Sequence, residues 1–423
     1  MKRKKLIVIG GGAAGFFCAV TAGALNPNLQ VTILEKTNKL LSKVRVSGGG
    51  RCNVTHACYE IAEMIRNYPR GSNFLKKAFH QFFTTDTVEW FKQRGIALKT
   101  EADGRMFPTT DSSQTIIDCL LREANQLGVN IIMNAEVKSI SRINEKFEIL
   151  LSETRPGNKE ALPADFICIA SGGYPKSSMF EWLKQLGHGI EEPVPSLFTF
   201  NTPGHAITKL MGISVQEARV RIKDTKLEQE GPLLITHWGL SGPAVLKLSA
   251  WGARELASKN WEFEIRVNWL PQYDEQSLRE TFQSFRSKLP AQKIISKNPL
   301  GLPQRLWEFF LAESQIQMDK NWADLPSKQQ NRLIGNLVNF EMKITGKTTF
   351  KEEFVTAGGI RLSEIDPNTM MSKRIPNLFF AGEVMDVDGI TGGFNFQHAW
   401  TSGFIAGNSI TNLDSNRDVG KGL

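Results

Sequence analysis

A short glycine fingerprint near the start of the chain constrains the fold more than any other feature. The apolar run Leu6-Ile7-Val8-Ile9 leads directly into Gly10-Gly11-Gly12-Ala13-Ala14-Gly15, and the carboxylate of Glu35 follows the next apolar run. In such a unit the first glycine allows a tight turn, the second lets the backbone touch a pyrophosphate, and the third permits close helix packing. The helix offers unpaired N–H groups to phosphates, and Glu35 offers a carboxylate to a ribose. The sequence therefore predicts a dinucleotide-binding βαβ unit.

The same segment has the length of a membrane anchor or a signal peptide. Basic residues at positions 2–5 precede an uncharged run from Leu6 to Leu25, which is about as long as a bilayer-spanning helix. This run contains five glycines and ends in Asn26-Pro27 rather than at a small-residue cleavage site. Because its glycines also fit the nucleotide-binding register, we favour that reading and expect a cytoplasmic protein with no membrane partner.

Composition limits the functional classes further. The chain has 423 residues, enough for two or three domains. Its cysteines are scattered: Cys18, Cys52, Cys58, Cys119 and Cys168. They form no Cys-x-x-Cys pair, so we expect neither a disulfide scaffold nor a metal site nor a dithiol redox centre. The net charge of +8 is modest, and acidic and basic residues alternate through most of the chain. Such a surface allows a nucleic-acid partner but does not require one.

Changes in residue pattern along the chain predict that one domain is interrupted by another. We predict that a nucleotide-binding domain occupies residues 1–192 and 351–423, with a second domain inserted at 193–350. Within the insertion, alternating polarity indicates a β-rich part over 193–273, and helical spacing indicates a helical part over 274–340.

Local patterns predict the elements of the first segment. Apolar spacing predicts a helix over roughly Asn73–Arg94, restarted by a cap at Thr84-Thr85-Asp86, and a second helix from near Ser112 that stops at Gly128. A hairpin-like turn at Pro156-Gly157-Asn158 leads to a strand that ends in Ser171-Gly172-Gly173. Glycines at a strand end mark a second place where the backbone can approach a cofactor.

The C-terminal segment indicates which cofactor is bound. A buried strand ends at Gly382-Glu383, Asp388 follows, and Thr391-Gly392-Gly393-Phe394-Asn395 opens a helix. A strand–glycine–acid turn can present backbone and a carboxylate to a ribityl chain and pyrophosphate, and a helix N-terminus can stabilise charge on a reduced flavin. A plain strand–turn–helix with small packing residues is the alternative. Together with the N-terminal fingerprint, FAD is favoured.

Four motifs make the sequence resemble a known family: VIGGGAAG, SGGGRCNVTH, THWGLSGPAVL and AGEVMDVDGITGGFNFQHAW. They resemble the bacterial aminoacetone-oxidase-like (BaiN-type) NAD(P)/FAD-dependent oxidoreductases, and the resemblance spans nearly the whole chain. It implies an α/β fold with a Rossmann-like FAD domain of the two-dinucleotide-binding-domain type. It also implies that an inserted β-barrel-like and small helical region interrupts this domain.

The resemblance assigns the pyrophosphate to the first glycine motif, the adenosine ribose to Glu35, and the adenine to the backbone of Val137. The predicted cofactor-binding residues are Gly10, Gly12, Ala13, Ala14, Gly15, Glu35, Lys36, Lys43, Ser47, Gly48, Gly49, Gly50, Arg51, Cys52, Asn53, Val137, Ser171, Gly172, Gly173, Gly382, Glu383, Asp388, Gly392, Gly393, Phe394 and Asn395. One departure is visible, because the family pattern has Gly-Arg/Lys-Lys where this chain has Leu41-Ser42-Lys43 and only Lys43 matches.

The sequence leaves the catalytic groups open. His237 can act as a general acid or base, or it can be a structural loop residue. Arg51 can hold a substrate carboxylate or a flavin anion, or bind a phosphate or the protein itself. Cys52, beside Arg51, is a candidate for a lowered pKa. His398 lies in the last helix, where we expect packing or capping rather than reaction.

Three functional classes remain. The favoured class is an FAD-dependent oxidoreductase that acts on a small organic molecule by hydride transfer and is re-oxidised by oxygen or by a nicotinamide, NAD(P). A FAD-dependent RNA-modifying enzyme and a non-catalytic flavin-binding protein are the alternatives. We expect a small-molecule substrate rather than nucleic acid, because function is better inferred from a site than from a fold. Substrate, oxidase or reductase character and oligomeric state stay open.

Overall fold

A computed structural model describes residues 3–152, 161–296, 298–349 and 355–419 of the chain. The predicted turn at Pro156-Gly157-Asn158 and the predicted boundary between residues 350 and 351 lie outside them. Contacts divide the chain into two compact units. The first unit comprises Met1–Pro195 and Lys351–Leu423, and the second comprises Ser196–Phe350.

The described residues form both strands and helices. The strands are β1 (Lys5–Ile9), β2 (Gln30–Leu34), β3 (Thr55–His56), β4 (Leu98–Thr100), β5 (Arg105–Pro108), β6 (Asn130–Ile132), β7 (Val137–Ile143), β8 (Lys146–Leu151), β9 (Ala161–Ala164), β10 (Phe166–Ile169), β11 (Ile190–Ser196), β12 (Thr199–Asn201), β13 (Ser214–Ile222), β14 (Glu228–Ile235), β15 (Gly239–Ser241), β16 (Glu262–Asn268), β17 (Phe340–Thr345), β18 (Lys347–Thr348), β19 (Val355–Ile360) and β20 (Leu378–Phe380). The helices are α1 (Ala13–Leu25), α2 (Ser42–Gly50), α3 (Ile61–Met64), α4 (Ser72–Ala78), α5 (Thr84–Lys92), α6 (Ser113–Gln126), α7 (Glu181–Gln185), α8 (Pro243–Trp251), α9 (Ala253–Ser258), α10 (Glu275–Lys288), α11 (Gln304–Glu313), α12 (Ser327–Val338) and α13 (Phe394–Val419).

A parallel sheet forms the centre of the first unit, with strand order β20-β10-β1-β2-β6. Its strands are short apolar runs, and β1 and β10 are almost wholly buried, as expected when both faces of a parallel sheet are covered. Because the strands are parallel, the glycine turns that follow β1, β10 and β20 lie at the same edge. That edge is where ligands bind in open α/β sheets.

The packing of helix α1 explains why the run from Leu6 to Leu25 is uncharged and as long as a membrane anchor. The helix lies against α13, where glycines allow the two backbones to approach closely. A Cβ added to Gly403 would stand 2.6 Å from the carbonyl oxygen of Ala14, and one added to Gly407 would stand 2.7 Å from that of Cys18. Buried on nearly all sides, α1 is apolar around its circumference. No helix among the described residues is long and apolar enough to cross a membrane.

Two predicted helices have different outcomes. The helix predicted over Asn73–Arg94 is wrong as a single element, because it divides into α4 and α5. The predicted restart is confirmed, since Asp86 Oδ2 accepts a hydrogen bond from the N–H of Phe83 at 2.7 Å and caps α5. The second prediction is confirmed by α6, where the Ser112 hydroxyl accepts from the N–H of Gln114 at 3.3 Å.

The second unit contains a seven-stranded antiparallel sheet, with order β17-β16-β13-β14-β15-β12-β18. The part predicted to be β-rich also contains helices α8 and α9, and α10 to α12 supply the helical part. Both parts share one hydrophobic core, which joins strand residues such as Val220 and Ile265 to helix residues such as Trp307 and Leu337. One continuous core means that the sheet and the helices of this unit stabilise each other.

Candidate cofactor site

The first glycine turn is built so that only glycine fits at two positions and a ligand fits at the third. Gly10 has a φ of +117°, and an added Cβ would lie 2.3 Å from the carbonyl oxygen of Ala170. At Gly15 an added Cβ would lie 2.0 Å from the carbonyl oxygen of Gly10. At Gly12, by contrast, no described atom lies within 4 Å of an added Cβ. The turn therefore leaves open space at the N-terminus of α1, next to Ala13 and Ala14.

Glu35 is bound to this turn by its side chain. One carboxylate oxygen accepts from the N–H of Gly11 at 2.9 Å, and the other accepts from the N–H and the hydroxyl of Thr37 at 2.9 and 2.8 Å. The N–H of Ala135 donates to the carbonyl of Glu35, which brings the chain leading to Val137 to the same end of β2. Glu35 and Val137 thus lie in neighbouring segments, as an adenosine site requires.

A second group of predicted residues meets where β10 and β20 end. Lys43 Nζ contacts Glu383 Oε2 at 2.5 Å, and Glu383 Oε1 accepts from the N–H of Thr356 at 2.8 Å. A Cβ added to Gly173 would lie 2.7 Å from Thr356 Oγ1, and Gly172 has open space around it. The structure therefore brings Lys43, Ser171-Gly172-Gly173 and Gly382-Glu383 to one edge of the sheet.

Two buried polar side chains at this edge lack hydrogen-bond partners among the described residues. The hydroxyl of Thr356 is fully buried and unpaired. His398 lies against the backbone of Gly382, yet neither ring nitrogen makes a hydrogen bond with a described residue. Burial lowers the pKa of His398 to about 4, so the imidazole is neutral near pH 7. Unpaired buried polar groups cost stability unless a ligand satisfies them.

The SGGGRCN loop departs from helical geometry where it was predicted to approach the flavin. Helix α2 loses helical dihedral angles at Ser47, and Gly48, Gly49 and Gly50 all have positive φ values, between +59° and +84°. Added Cβ atoms at Gly49 and Gly50 would meet no described atom within 4 Å. The N–H groups of this turn are therefore carried on backbone that only glycine adopts easily and that has free space beside it.

This loop meets the glycine loop that opens α13. The amide of Asn53 accepts from the N–H of Gly393 at 2.9 Å and donates to the carbonyl of Thr55 at 3.0 Å. His56 contacts the carbonyl of Gly392 through Nδ1 at 3.0 Å and stacks on Phe394 at 4.7 Å between ring centroids. The two regions predicted to surround the flavin ring are thus joined directly.

Asn395 and Phe394 hold the second loop in shape. The Asn395 side chain accepts from the N–H of Gly389 at 2.8 Å and donates to its carbonyl at 2.9 Å. The carbonyl of Phe394 accepts from the hydroxyl of Tyr68 at 2.6 Å, and that tyrosine is buried. Both residues therefore maintain the loop, and a cofactor contact from it would have to come from backbone groups that these bonds do not use.

Asp388 has a different environment from the one predicted. Its side chain is fully buried and forms an ion pair with Arg70, whose side chain is also almost completely buried. The carboxylate is therefore committed to Arg70, and a contact with the ribityl–phosphate region would have to come from the backbone. Removing one partner of such a pair would leave a buried charge uncompensated.

Arg51 is paired with protein groups. It lies 2.6 Å from Glu101 and 3.6 Å from Asp111, and its guanidinium stacks on Phe107 at 4.0 Å from the ring centroid. Its Nε also donates to the carbonyl of Gly48 at 3.3 Å. The carboxylate of Glu101 raises the pKa of Arg51. Arg51 thus stabilises the SGGGRCN loop, and the carboxylates of Glu101 and Asp111 neutralise its charge.

The expectation of a lowered Cys52 pKa is wrong. The side chain is fully buried, and burial raises the pKa of Cys52 to about 12 because a thiolate would be desolvated there. Its backbone has a φ of +63°, and its N–H donates to the carbonyl of Ser47 at 3.0 Å. Cys52 is therefore a neutral structural thiol at physiological pH and not a nucleophile.

Two remaining predicted residues are exposed. Lys36 lies in the first unit, 5.6 Å from the ring centroid of Tyr174. His237 lies in the second unit, at the tip of the hairpin between β14 and β15, with its ring edge against Trp238. Thr236 closes this hairpin, since its N–H donates to the carbonyl of Gly239 at 2.8 Å.

These features fit FAD. Open space lies beside the backbone of Gly12, Gly49, Gly50 and Gly172, and the unpaired groups of Thr356 and His398 lie at the same edge of the sheet. The residues that would hold its pyrophosphate and ribityl chain include Gly12 and the Gly382 turn, and the two joined glycine loops would hold the ring. Among the described residues, no group of three or more His, Cys, Asp or Glu side chains is arranged to hold a metal ion.

Sequence reasoning missed several residues that shape the site. Thr356 lies two residues before the pair Gly358-Gly359, and this glycine pair was the local pattern that could have pointed to it. Leu41 adopts a left-handed conformation with a φ of +55° and donates its N–H to the carbonyl of Gly11 at 2.9 Å. No local sequence pattern could have identified Arg70, because its partner Asp388 is far away in the sequence.

Comparisons with known proteins agree with this geometry. The family described as "HI0933-like protein Rossmann domain" matches residues 4–409. The ribosomal RNA dihydrouridine synthase of Escherichia coli is 31% identical over 421 residues, which cover 97% of this chain and 98% of that protein. The 3-dehydro-bile acid delta(4,6)-reductase of Clostridium scindens is 28% identical over 408 residues, covering 95% and 97%.

Solved structures share the fold at low identity. The E. coli quinol fumarate reductase FrdA is 15% identical with a TM-score of 0.53, covering 99% of this chain and 72% of that chain. A 3-ketosteroid-delta4-(5alpha)-dehydrogenase from Rhodococcus jostii RHA1 is 14% identical with a TM-score of 0.51, covering 97% and 98%. The fold class and the resemblance predicted from the sequence are confirmed: the chain belongs to the HI0933-like family, and it is an FAD-dependent oxidoreductase with a Rossmann-like fold.

Proposed function

We propose that the protein reduces a carbon–carbon double bond conjugated to a carbonyl, and that its acceptor is a uracil ring in ribosomal RNA. One observation carries the proposal: relatives with two different printed substrates share this chemistry. Dihydrouridine is uridine reduced at C5=C6, a bond conjugated to the C4 carbonyl. The double bonds named for the 3-dehydro-bile acid relative are conjugated to its 3-oxo group. At C5=C6 of uridine and at C4=C5 of the steroid, hydride adds to the carbon β to the carbonyl and a proton adds to the α-carbon. At C6=C7 of the steroid, which is conjugated through C4=C5, hydride adds to the δ-carbon and a proton to the γ-carbon.

Several features of the first unit support this proposal. When bound, FAD would supply the hydride from N5 of its ring. The glycine loops around Gly49 and Gly393 would orient that ring, and the N-terminus of α13 would stabilise negative charge next to it. We propose NAD(P)H as the electron source. The sequence contains one Gly-x-Gly-x-x-Gly motif between a strand and a helix, and FAD would occupy it. NAD(P)H would then have no dinucleotide-binding unit of its own and would bind transiently.

We propose His237 as the first candidate for the proton donor, on the chemistry of its side chain. Cys52 is buried and Arg51 is paired with two carboxylates, whereas the imidazole of His237 is exposed at a hydrogen-bonded turn. An imidazole near neutral pH can deliver a proton from a ring nitrogen to the α-carbon. Replacing it, as in His237→Gln, is expected to slow product formation while the flavin spectrum and its reduction by NADPH stay unchanged.

An enone of a small polycyclic ketone is the second candidate acceptor. It corresponds to the small-molecule substrate expected from the sequence, and the 28% identity with the bile-acid reductase supports it. Two relatives from different bacteria are named for ribosomal RNA, at 31% and 28% identity, and they favour the RNA acceptor. The expectation that nucleic acid is not a partner stays a prediction that the RNA acceptor would overturn.

The experiment uses both acceptors with one enzyme preparation. FAD-loaded protein is reduced by NADPH without oxygen and mixed with unmodified ribosomal RNA transcribed in vitro, or with a 4-en-3-one steroid. Mass spectrometry of digested RNA would show a uridine heavier by two hydrogens, and loss of enone absorbance would report steroid reduction. We expect the RNA product. Reduction of the steroid alone would assign the second candidate, and re-oxidation by air alone would contradict both.

A further inference from the structure

The second unit distributes its charges unevenly. In the sheet, Arg219 pairs with Glu230 at 3.0 Å, Lys223 with Glu264 at 2.5 Å, and Arg266 with Glu341 at 2.9 Å. Residues 281–307, in contrast, contain five basic side chains and no acidic one. These three cations are therefore neutralised locally, while those of residues 281–307 have no acidic residue within the same segment of sequence.

Four exposed cations of the unit form what we call the basic surface: Lys209, Lys288, Lys293 and Arg305. None of these four forms an ion pair with any residue that the structure describes. Glu308 accepts a hydrogen bond at 3.0 Å from Gln304, the neighbour of Arg305. A cluster of unpaired cations attracts polyanions more strongly than the same number of neutralised ones.

Side-chain and backbone hydrogen bonds connect the chain segments that carry these cations. The guanidinium of Arg305 donates to the carbonyl of Lys209 at 3.1 Å, which joins the first and last members. Gln304, next to Arg305, donates to the carbonyl of Ile295 at 3.0 Å, two residues beyond Lys293. A turn in which the N–H of Gln292 donates to the carbonyl of Leu289 connects Lys293 to Lys288.

The irregular chain between α10 and α11 is anchored in the core. The indole N–H of the buried Trp307 donates to the carbonyl of Ile294 at 3.0 Å, and Ile294 is itself buried. The N–H of Trp322 donates to the carbonyl of Gln292 at 3.1 Å. The cations are thus presented by a fixed backbone, which lowers the entropy cost of binding an extended anion.

The apolar faces of the neighbouring helices are already used. Leu278 and Phe282 of α10 are buried in the core of the unit, as are Phe310 of α11 and Leu333 of α12. A membrane-bound helix needs a free apolar face besides its cations, and these helices have none to offer. The surface therefore fits an anion that binds through phosphates alone.

We propose that the basic surface binds the phosphate backbone of structured RNA and holds the substrate of the reductase. This inference rests on the proposed function for the identity of the RNA, but the surface itself is argued from residues of the second unit. Phosphate contacts carry no sequence information, so the surface would contribute affinity and orientation rather than choice of uridine. Its signature is a salt dependence that scales with the number of cations involved.

The test compares two triple variants of the FAD-loaded protein. K288Q/K293Q/R305Q removes three charges from the basic surface, and R219Q/K223Q/R266Q removes three charges that are ion-paired in the second unit. Binding to ribosomal RNA transcribed in vitro is measured by fluorescence anisotropy over a range of KCl concentrations. We expect the first variant to bind roughly 10- to 100-fold more weakly at about 0.1 M KCl, with a salt slope smaller by about 2 to 3. The second variant should stay within about twofold, because spread and paired charges contribute little.

The outcomes separate this inference from the proposed function. Equal losses in both variants, or no loss in the first, would overturn the basic surface even if wild-type protein forms dihydrouridine. RNA binding that depends on the basic surface without any dihydrouridine would keep the surface and refute the proposed function. Wild-type binding to phosphatidylserine vesicles but not to RNA would assign the surface to a membrane and reject the inference. Flavin absorbance confirms that each variant is folded and loaded.

Discussion

Three glycines of the first unit and two of the second serve opposite purposes, although both sets lie in motifs that carry the family resemblance. At Gly12, Gly49 and Gly50 of the first unit, an added Cβ would point into open space. At Gly239 and Gly242 of the second unit, an added Cβ would stand 2.1 Å from the carbonyl oxygen of Phe200 and 2.7 Å from that of Pro232. The first set leaves room for a ligand, whereas the second leaves room for the chain itself.

The difference shows what a glycine motif can and cannot say about function. The THWGLSGP motif of the second unit is as distinctive in sequence as the SGGGRCN motif, but its glycines are explained by the tight hairpin between β14 and β15 and by the start of α8. The candidate group that this motif exposes is the side chain of His237. In the SGGGRCN loop, the open space lies beside the backbone of Gly49 and Gly50.

The largest change in stability is expected when Gly239 is replaced. The Gly239→Ala change combines a positive φ of +152° with the clash against Phe200, so we expect the free energy of unfolding to fall by about 4 kcal/mol. Urea unfolding followed by tryptophan fluorescence measures it. Where the variant is folded, its Kd for FAD should stay within about threefold of wild type. A large loss of FAD affinity with unchanged stability would mean that this hairpin leaves room for a ligand after all.

The next largest effect is a pH dependence of stability caused by His398 in the first unit. Because the pKa of His398 is about 4 in the folded protein, against about 6.5 in the unfolded chain, the unfolded state binds more protons between these values. His398 therefore contributes stability above pH 6.5 that is lost as the pH falls through about 4. The loss is about 3 kcal/mol of unfolding free energy in flavin-free protein. Urea unfolding at several pH values measures it.

The pH effect has a matched control in an exposed histidine. His398→Asn removes the titrating group and should flatten the slope of unfolding free energy against pH in this range. His80→Asn, at an exposed position on the same unit, should leave the slope unchanged. If both variants retain the wild-type slope, other groups such as His188, whose pKa is also lowered by burial, cause the acid sensitivity.

Gly12 provides the direct counterpart of Gly239. Gly12→Ala adds a methyl group to open space at the N-terminus of α1, so the flavin-free protein should keep its stability within about 0.5 kcal/mol. FAD affinity should fall 10- to 100-fold, or about 1.4 to 2.8 kcal/mol, because the methyl group occupies the place of the pyrophosphate. Titration of flavin fluorescence gives the Kd. Gly335→Ala also adds a methyl group to open space, in α12, and should leave FAD binding unaltered.

The sequence carried enough information to predict the fold and the order of the glycine turns. Strand–glycine transitions at Gly10, Ser171 and Gly382 are local patterns, and parallel strands bring their ends together without further information. The division of the helix predicted over Asn73–Arg94 was not resolved by apolar spacing, because α4 and α5 share a similar periodicity on either side of the break. Capping residues mark the break more reliably than hydrophobicity does.

The contacts that complete the site were beyond the reach of local patterns. Lys43 and Glu383 are separated by 340 residues, and Arg70 and Asp388 by 318. Only tertiary packing reveals that these charges neutralise each other, and for this reason Asp388 was predicted as a cofactor contact. The sequence left the partners of Arg51 open and suggested the wrong direction for the pKa of Cys52, since protonation depends on neighbours and solvent that one sequence does not specify.

The smallest effect tests whether a side chain inside the SGGGRCN loop faces a ligand or the protein. Cys52 is fully buried with a pKa near 12, so iodoacetamide at pH 8 should not modify it in the native protein. Cys58, which is partly exposed, serves as the internal control and should react slowly, because burial also raises its pKa. Peptide mass spectrometry before and after urea unfolding distinguishes the two. Rapid native alkylation of Cys52 that bound FAD prevents would place the thiol on the ligand side of the loop, and the contrast between backbone and side chains in this loop would then fail.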